Sequence, residues 1–532
     1  MRGLKSMRLV AVGAAVALAS TACGGGTGST DAGGGTLVFA LHEPEHLIPG
    51  NTNETQGGTV LQVLYDNLVD YNDEGEPVNQ IAEDISSEDQ KTWTIKIKKG
   101  WKFHNGEPVT ADSFIDAWNF TAYGPNANGN SYFMDRIEGY ADLQVDGDKD
   151  PKSEEMSGLK KIDDQTFEVS LAEPFSGFPL MVGYTAFAPM AKECLEDTKA
   201  CEEKPIGTGP FKMDGSWEHD RSIKMKRFED YAGEAAKLDK IEFRIFKDED
   251  AEYQALQSRE VDMIPLVPVE KMGEVRSQFG ERFIEEPNST FSYLGFPTYL
   301  PEFKDKRIRQ AFSMAIDRKT IVKEIFDDRY ALAGSLVSPV VPGSRDDACK
   351  YCEYDPERAK ELLKEAGGWP KGKKMPIWFN AGSGHEEWVE AAGNQLKENL
   401  GIDYELKGDL EFAKYLEVAD QEKFTGPYRL GWVMDYPSPE NYLKPIYGTQ
   451  GSSNNAGYGN PAADKLIAEG DKAASLDEGI KSYQAAEDLI LEDMPVIPLW
   501  FGRTAMAYND NVSGVEFNIV DSNPDFTKIT VS

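Results

Sequence analysis

The chain has 532 residues, with 56 Lys and Arg against 91 Asp and Glu, for a formal net charge of -35. This length predicts more than one domain, and so acidic a surface repels phosphate backbones, which excludes nucleic acid as a partner. The mean hydropathy of -0.49 excludes a protein with many membrane spans. Five histidines and five cysteines leave little material for a metal-rich or thiol-based enzyme, and we expect no cofactor.

Residues 1–22 have the pattern of a bacterial lipoprotein signal peptide. A basic beginning is followed by a small or apolar run, Leu9 to Ala19, which is too short to span a bilayer. Small residues then precede Cys23 as in a lipobox, although Ser20 stands where Leu is usual. We expect Cys23 to be lipidated and to anchor the chain on the outer face of the bacterial cytoplasmic membrane. An ordinary signal peptide cut nearby is the alternative.

Residues 23–35 form a Gly-rich segment that predicts a flexible tether between the anchor and the globular part. Beyond it, β-rich or alternating runs predict strands at 36–40, 93–98, 166–171 and 241–246. Apolar residues at helical spacing predict helices at 60–69, 308–326, 356–366, 385–400 and 476–491. Strands and helices intermix along the chain, so the predicted class is α/β.

Four cysteines follow Cys23, and an even number in an exported chain indicates two disulfides. Sequence proximity favours Cys194–Cys201 and Cys349–Cys352 over the other pairings. A redox motif or half of a zinc site are the alternatives for Cys349–Cys352.

The segment from His42 to His46 fits the zinc-protease pattern H-E-x-x-H. That chemistry needs both histidines on one helical face, whereas here a predicted strand comes directly before and Pro44 would break the helical turn. The chain also lacks the G-x-S-x-G and phosphate-loop motifs. We therefore expect no enzyme, and a secreted hydrolase or chaperone is a remote alternative.

Five blocks spread over most of the chain have a further pattern in common. They are 93–112 (WTIKIKKGWKFHNGEPVTAD), 205–211 (PIGTGPF), 305–311 (DKRIRQA) continued at 315–318 (AIDR), 432–437 (WVMDYP) and 454–458 (NNAGY). In this order they resemble the family 5 extracytoplasmic solute-binding proteins, the dipeptide- and oligopeptide-binding lipoproteins of ABC importers. Most blocks read as fold signatures, and in the third we expect a core-packing helix with Asp317 and Arg318 as an exposed pair.

The resemblance implies a two-lobed periplasmic-binding-protein-like fold (type II, cluster C) with an extra domain inserted in lobe I. Lobe I would comprise residues 36–57, 186–287 and 501–532. The extra domain would comprise 58–185, and lobe II 288–500.

The resemblance also implies the ligand contacts. An aspartate at the place of Asp435 pairs with the α-ammonium of the ligand in peptide-binding relatives. Trp432 would form an aromatic wall, and Arg429 would receive a peptide carboxylate. Asn454 and Tyr458 are further candidates for hydrogen bonds to the ligand backbone.

The function implied is that of a monomeric substrate-binding lipoprotein. It would capture peptides in a cleft that closes by hinge motion and deliver them to an ABC permease with separate ATPases. The alternative is a non-peptide solute on the same scaffold: an oligosaccharide, a nickel complex or a metallophore.

Overall fold

The computed structural model describes residues 34–532 except positions 73, 146, 148, 383, 519 and 521. The signal peptide 1–22, the lipidation site Cys23 and nearly all of the tether lie outside the described residues. Within the described part, no helix combines the length and the apolar character needed to cross a membrane.

Helices are concentrated in the second half of the chain. They are α1 Thr55–Leu64, α2 Ala111–Ala122, α3 Phe178–Met181, α4 Lys192–Glu196, α5 Thr198–Glu203, α6 Glu249–Gln257, α7 Met272–Phe279, α8 Lys306–Met314, α9 Arg318–Phe326, α10 Pro356–Glu365, α11 Glu386–Leu400, α12 Phe412–Asp420, α13 Pro439–Tyr447, α14 Pro461–Asp471 and α15 Leu476–Asp493.

Strands occur throughout the described chain. They are β1 Thr36–His42, β2 Val69–Tyr71, β3 Pro77–Asn79, β4 Ala82–Ser86, β5 Thr92–Ile97, β6 Leu159–Asp163, β7 Thr166–Ser170, β8 Phe211–Met213, β9 Ser222–Arg227, β10 Lys240–Phe246, β11 Met263–Ile264, β12 Phe283–Gly295, β13 Ala331–Leu332, β14 Met375–Asn380, β15 Tyr404–Leu410, β16 Tyr428–Trp432, β17 Val496–Tyr508, β18 Val512–Ser513, β19 Phe517–Asn518, β20 Asn523–Pro524 and β21 Thr530–Val531.

One large sheet runs through both lobes, in the order β15-β14-β16-β12-β17-β11-β1-β10-β9-β8, with β13 also paired to β17. Strands β14 to β16 fall in the range predicted for lobe II, whereas β1 and β8 to β11 fall in the ranges predicted for lobe I. The long antiparallel strands β12 and β17 lie between the two groups and pair with each other along most of their length. The lobes are therefore joined by two adjacent strands.

The pairing of β12 with β17 is interrupted at the middle of both strands. Pro287 pairs with Arg503 and Phe291 pairs with Phe501, so three residues of β12 lie opposite Gly502 alone. A Cβ at Gly502 would lie 2.3 Å from Oδ1 of Asn288, which restricts this position to glycine. Such a bulge bends a strand, and it lies beside the predicted lobe boundaries at 287/288 and 500/501, which stay a prediction.

Strand β1 is buried on both faces, as expected of a strand with parallel neighbours. Leu37, Phe39 and Leu41 pack into one apolar cluster, and Ala40 packs into another on the opposite face of the sheet. The strand pairs in parallel with β10 over its whole length. The prediction of a strand directly after the tether is confirmed.

The range predicted for the extra domain contains a separate antiparallel sheet, in the order β4-β5-β7-β6. Phe114 and Trp118 of α2 cover this sheet and contact Phe167 of β7. Helix α1 crosses the predicted start of this domain at residue 58, yet its apolar residues pack in the cluster of β1 and β8. The first strand of this range, β2, begins at Val69, after the helix has ended.

The glycines of the block 205–211 allow it to pack closely against the end of α1. The backbone N–H of Gly209 donates to the Leu64 carbonyl at 2.8 Å. A Cβ at Gly207 would lie 1.9 Å from the same oxygen. The block is thus a packing feature of lobe I.

Two predicted helices differ from the structure. The predicted helix 308–326 is two helices, α8 and α9, because Asp317 accepts from the Thr320 N–H at 3.0 Å and caps a new start. The predicted helix 60–69 ends at Leu64, and Val69 already belongs to β2. The prediction that Arg318 is exposed was wrong: this residue is 7% exposed, and its guanidinium donates to the carbonyls of Ala333, Pro498 and Cys352.

The cysteines pair as the sequence analysis favours. Cys194 bonds Cys201 and Cys349 bonds Cys352, with S–S distances of 2.05 and 1.94 Å. Cys194 and Cys201 lie on the consecutive helices α4 and α5. Neither the redox nor the zinc alternative for Cys349–Cys352 is needed to account for this pair.

Candidate ligand-binding site

A cavity of about 820 Å³ is lined by residues from the ranges predicted for lobe I, lobe II and the extra domain. The bulge of β12 and β17 forms part of its wall, through Asn288, Thr290 and Gly502. A second cavity, of about 580 Å³, lies around Trp369 and Lys371 of lobe II and is lined by none of the predicted site residues. Only the first therefore lies where two lobes could close on a ligand.

Asp435 lines the larger cavity. It follows β16 and precedes α13, and Asn441 of that helix fixes it from two sides. The Asp435 N–H donates to Asn441 Oδ1 at 2.9 Å, and Asn441 Nδ2 donates to Asp435 Oδ2 at 2.8 Å. In the described part of the chain, no Lys, Arg or His forms an ion pair with this carboxylate.

Burial raises the pKa of Asp435 from its ordinary value of 3.8 to about 7, and the nearby Glu440 adds to the shift. The hydrogen bond from Asn441 acts in the opposite direction but does not offset the loss of hydration. A carboxylate in this position gains most from a cation that arrives with the ligand.

Trp432 and Arg429 lie on the same strand but are not among the residues that line the cavity. The indole N–H of Trp432 donates to Asn441 Oδ1 at 3.3 Å. The guanidinium of Arg429 donates to Asn380 Oδ1 at 3.2 Å, and burial lowers its pKa. The ligand contacts expected of these two residues stay predictions, and the geometry connects Trp432 to Asp435 through Asn441.

Asn454 and Tyr458 are bonded to each other and to neighbouring groups. Asn454 Nδ2 donates to the carbonyls of Gly448 and Tyr458, and its Oδ1 accepts from the Tyr458 N–H at 3.1 Å. The Tyr458 hydroxyl donates to Asp493 at 3.0 Å. Neither residue lines the cavity, so the geometry gives no support to their predicted ligand contacts.

The cavity also contains buried acids that the sequence analysis missed. Asp66 accepts from Gln80 at 3.1 Å and from the Tyr231 hydroxyl at 3.0 Å, and burial raises its pKa to about 7. Burial likewise raises the pKa of Glu252 to about 8. Asp66 lies in a loop and Glu252 lies on α6, far away in the sequence. No local sequence pattern therefore indicates them.

Two arginines, Arg329 and Arg503, line the same cavity and were also missed. Arg329 lies three residues after the end of α9, and Arg503 lies on β17 beside the bulge. The two arginines are 174 residues apart in sequence, and the pairing of β13 with β17 brings their segments together.

The H-E-x-x-H segment is not helical. His42 ends β1 and residues 43–54 form the loop before α1. His42 Nε2 lies 3.3 Å from Glu252, whereas His46 Nδ1 lies 3.2 Å from Glu202. The two histidines therefore face different partners and do not share the helical face that zinc ligation by this motif requires.

The chain matches the family model described as bacterial extracellular solute-binding proteins, family 5, over residues 76–454. It is 28% identical to the oligopeptide-binding protein OppA of Bacillus subtilis, with 94% of each chain covered. It is 29% identical to the dipeptide-binding protein DppE of the same organism, covering 86% of this chain and 84% of DppE.

Solved structures resemble this fold over nearly its whole length. The murein tripeptide binding protein MppA of Escherichia coli superposes with a TM-score of 0.79 at 23% identity, covering 93% of this chain and 98% of MppA. A periplasmic binding protein DppA from Helicobacter pylori, in complex with the peptide STSA, gives 0.78 at 22% identity, covering 93% and 98%. These likenesses establish the two-lobed fold.

Proposed function

Because this chain belongs to the bacterial extracellular solute-binding proteins of family 5, we propose that it captures peptides in the large cavity. It then delivers them to a membrane permease whose separate ATPases drive import. The relatives that it resembles over most of their length are named for oligopeptide and dipeptide binding. The two-lobed fold supplies the cleft in which such a ligand would be enclosed.

The observation that carries this proposal is the carboxylate of Asp435, which lines the cavity and forms no ion pair with any described residue. A free peptide always carries one α-ammonium group, and this group supplies the missing cation. Asn441 orients the carboxylate from one side, and Trp432 in turn holds Asn441. We assign Trp432 a positioning role on this basis.

The remaining parts of the proposal concern anchoring and motion. Lipidation of Cys23 would hold a monomer on the outer face of the cytoplasmic membrane, and two disulfides suit an oxidising compartment. The bulge opposite Gly502 is a natural place for lobe I and lobe II to bend relative to each other. A ligand held by both lobes would then favour the closed state.

The test compares Asp435→Asn with the unaltered chain by titration calorimetry, using a short peptide and its N-acetylated form. We expect the variant to lose about two orders of magnitude in affinity for the free peptide, because truncating one partner of a buried charge pair is costly. The acetylated peptide should bind both proteins equally weakly. Asp403→Asn, at an exposed ion pair with Lys397, is the matched control and should bind like the unaltered chain.

Equal affinity of Asp435→Asn and the unaltered chain for the free peptide would contradict the role of Asp435. Failure of the unaltered chain to bind any member of a panel of di- to nonapeptides would contradict peptide capture itself.

A further inference from the structure

Arg329 is the most unusual charged residue of the cavity. It is only 7% exposed and lines the cavity, yet among the described residues its guanidinium has no hydrogen-bond acceptor and no ion pair. Its Nε is fully buried without a partner. The guanidinium lies 5.6 Å from the ring centroid of the adjacent Tyr330.

A buried cation without an acceptor is costly, since the protein neither hydrates it nor pairs it. Buried charges in folded proteins normally have partners. The most direct explanation for an arginine that faces a ligand cavity in this state is that the acceptor arrives with the ligand.

Arg503 lines the same cavity as Arg329, and strand pairing brings their two segments together. Ala331 of β13 pairs with Phe501 of β17, and Leu332 pairs with Trp500. Arg329 lies two residues before this pairing on its segment and Arg503 two residues after it on β17, so both arginines are close to the same strand junction. Two like charges that line one cavity repel each other, unless an anion lies between them.

Arg503 is itself incompletely bonded. Its guanidinium donates to the Glu285 carbonyl at 3.0 Å, its Nε is buried without a partner, and no carboxylate of the described residues forms an ion pair with it. Two guanidinium groups with free N–H donors therefore line one cavity. A carboxylate can accept hydrogen bonds from both groups.

We propose that Arg329 and Arg503 form an anion subsite that receives a carboxylate of the bound ligand. The proposal rests on the proposed function, in which the other end of a peptide is held by its α-ammonium at Asp435. The carboxylate belongs either to the C-terminus of the peptide or to an acidic side chain. Arg329 comes from lobe II and Arg503 from the lobe I side of the bulge, so one anion would contact both lobes.

The test is titration calorimetry of the full chain with three matched peptides: one with a free C-terminus, its C-terminal amide, and an amide that carries an internal Glu. The variants are Arg329→Gln and Arg503→Gln. Arg259→Gln, at an exposed ion pair with Asp510, is the control. We expect the unaltered chain to favour a carboxylate-bearing peptide over the plain amide by about tenfold to a hundredfold.

In Arg329→Gln this preference should fall to near unity while the affinity for the plain amide stays the same, and Arg503→Gln should reduce it in the same direction. Loss of the preference with the free C-terminus identifies the terminal carboxylate as the ligand group, whereas loss with the internal Glu identifies a side chain. A preference that both variants retain overturns the subsite.

Two further measurements distinguish failure of the anion subsite from failure of the proposed function. Peptide binding that depends on Asp435 but not on Arg329 would overturn the subsite alone, whereas no peptide binding at all would overturn the proposed function with it. The thermal midpoint of ligand-free Arg329→Gln should be equal to or above that of the unaltered chain, because no bond is lost. A lower midpoint would assign Arg329 to the fold and overturn the proposal, and Arg329→Lys, which keeps the charge, should retain part of the preference.

Discussion

Arg318 begins helix α9 and Arg329 lies three residues after the helix ends, and both are equally buried, each 7% exposed. Arg318 donates to three backbone carbonyls, those of Ala333, Pro498 and Cys352. Arg329 has no acceptor among the residues that the structure describes. Burial alone therefore does not distinguish a structural arginine from a candidate ligand-binding arginine. The hydrogen bonds that the fold provides to the guanidinium make this distinction.

The contrast extends to the contact between the extra domain and lobe II. Arg136 pairs with Glu440 and with Asp471, and it stacks over the ring of Phe175 at 3.8 Å. The carboxyl of Asp435 lies five residues from Glu440 in sequence but has no such cation. The charge of Arg136 is thus paired within the protein, whereas Asp435 and Arg329 in the cavity form no ion pair with any described residue.

The largest expected effect distinguishes Arg318 from Arg329. Arg318→Gln should lower the free energy of unfolding by about 3 kcal/mol or more, because three buried carbonyls lose their donor. Arg329→Gln should leave it unchanged or raise it. Urea unfolding of the ligand-free proteins measures both changes, and equal losses in the two variants would break the comparison.

A smaller effect tests the structural role of Arg318. The disulfide Cys349–Cys352 closes the short loop that presents the Cys352 carbonyl to Arg318. Replacing both cysteines by serine should lower the free energy of unfolding by about 2 kcal/mol without changing ligand affinity, since neither cysteine lines the cavity. A loss of affinity larger than the loss of stability would show that this loop acts on the ligand site.

The smallest effect concerns pH. A bound ammonium requires the ionised form of Asp435, whose pKa is about 7 in the free protein. Affinity should therefore fall as the pH drops below 7, by up to about tenfold per unit, and Asp435→Asn should flatten that slope. Calorimetry between pH 5 and 8 measures it, and an affinity that rises on acidification would contradict the assignment.

In the ligand-free protein the same group has the opposite effect. The folded state takes up a proton at about pH 7, whereas the unfolded chain takes it up near the ordinary value of 3.8. The contribution of Asp435 to stability should therefore grow as the pH falls through this window.

The fold was largely predictable because its signals are local. The strand after the tether, the alternating strands and the disulfide spacing all depend on neighbouring residues. The break between α8 and α9 was missed because the apolar spacing of α8 continues past it, so only the capping Asp317 marks the new start. The burial of Arg318 was missed because its three acceptors come from segments distant in the sequence.

The site was predictable only in part, for the same reason. Asp435 follows a recognisable block, so the resemblance could indicate it. Arg329 and Arg503 belong to no block, and only the pairing of β13 with β17 brings them to one wall. A cavity built where several segments meet leaves little trace in any one of them.

The measurement that most directly tests peptide capture is mass spectrometry of the small molecules released by denaturing the purified full chain. We predict a mixture of peptides of similar length and varied sequence with free amino termini, because the proposed role of Asp435 is to bind the α-ammonium and not a side chain. A single sugar, nickel complex or metallophore would contradict this account and identify the cavity as a site for another solute.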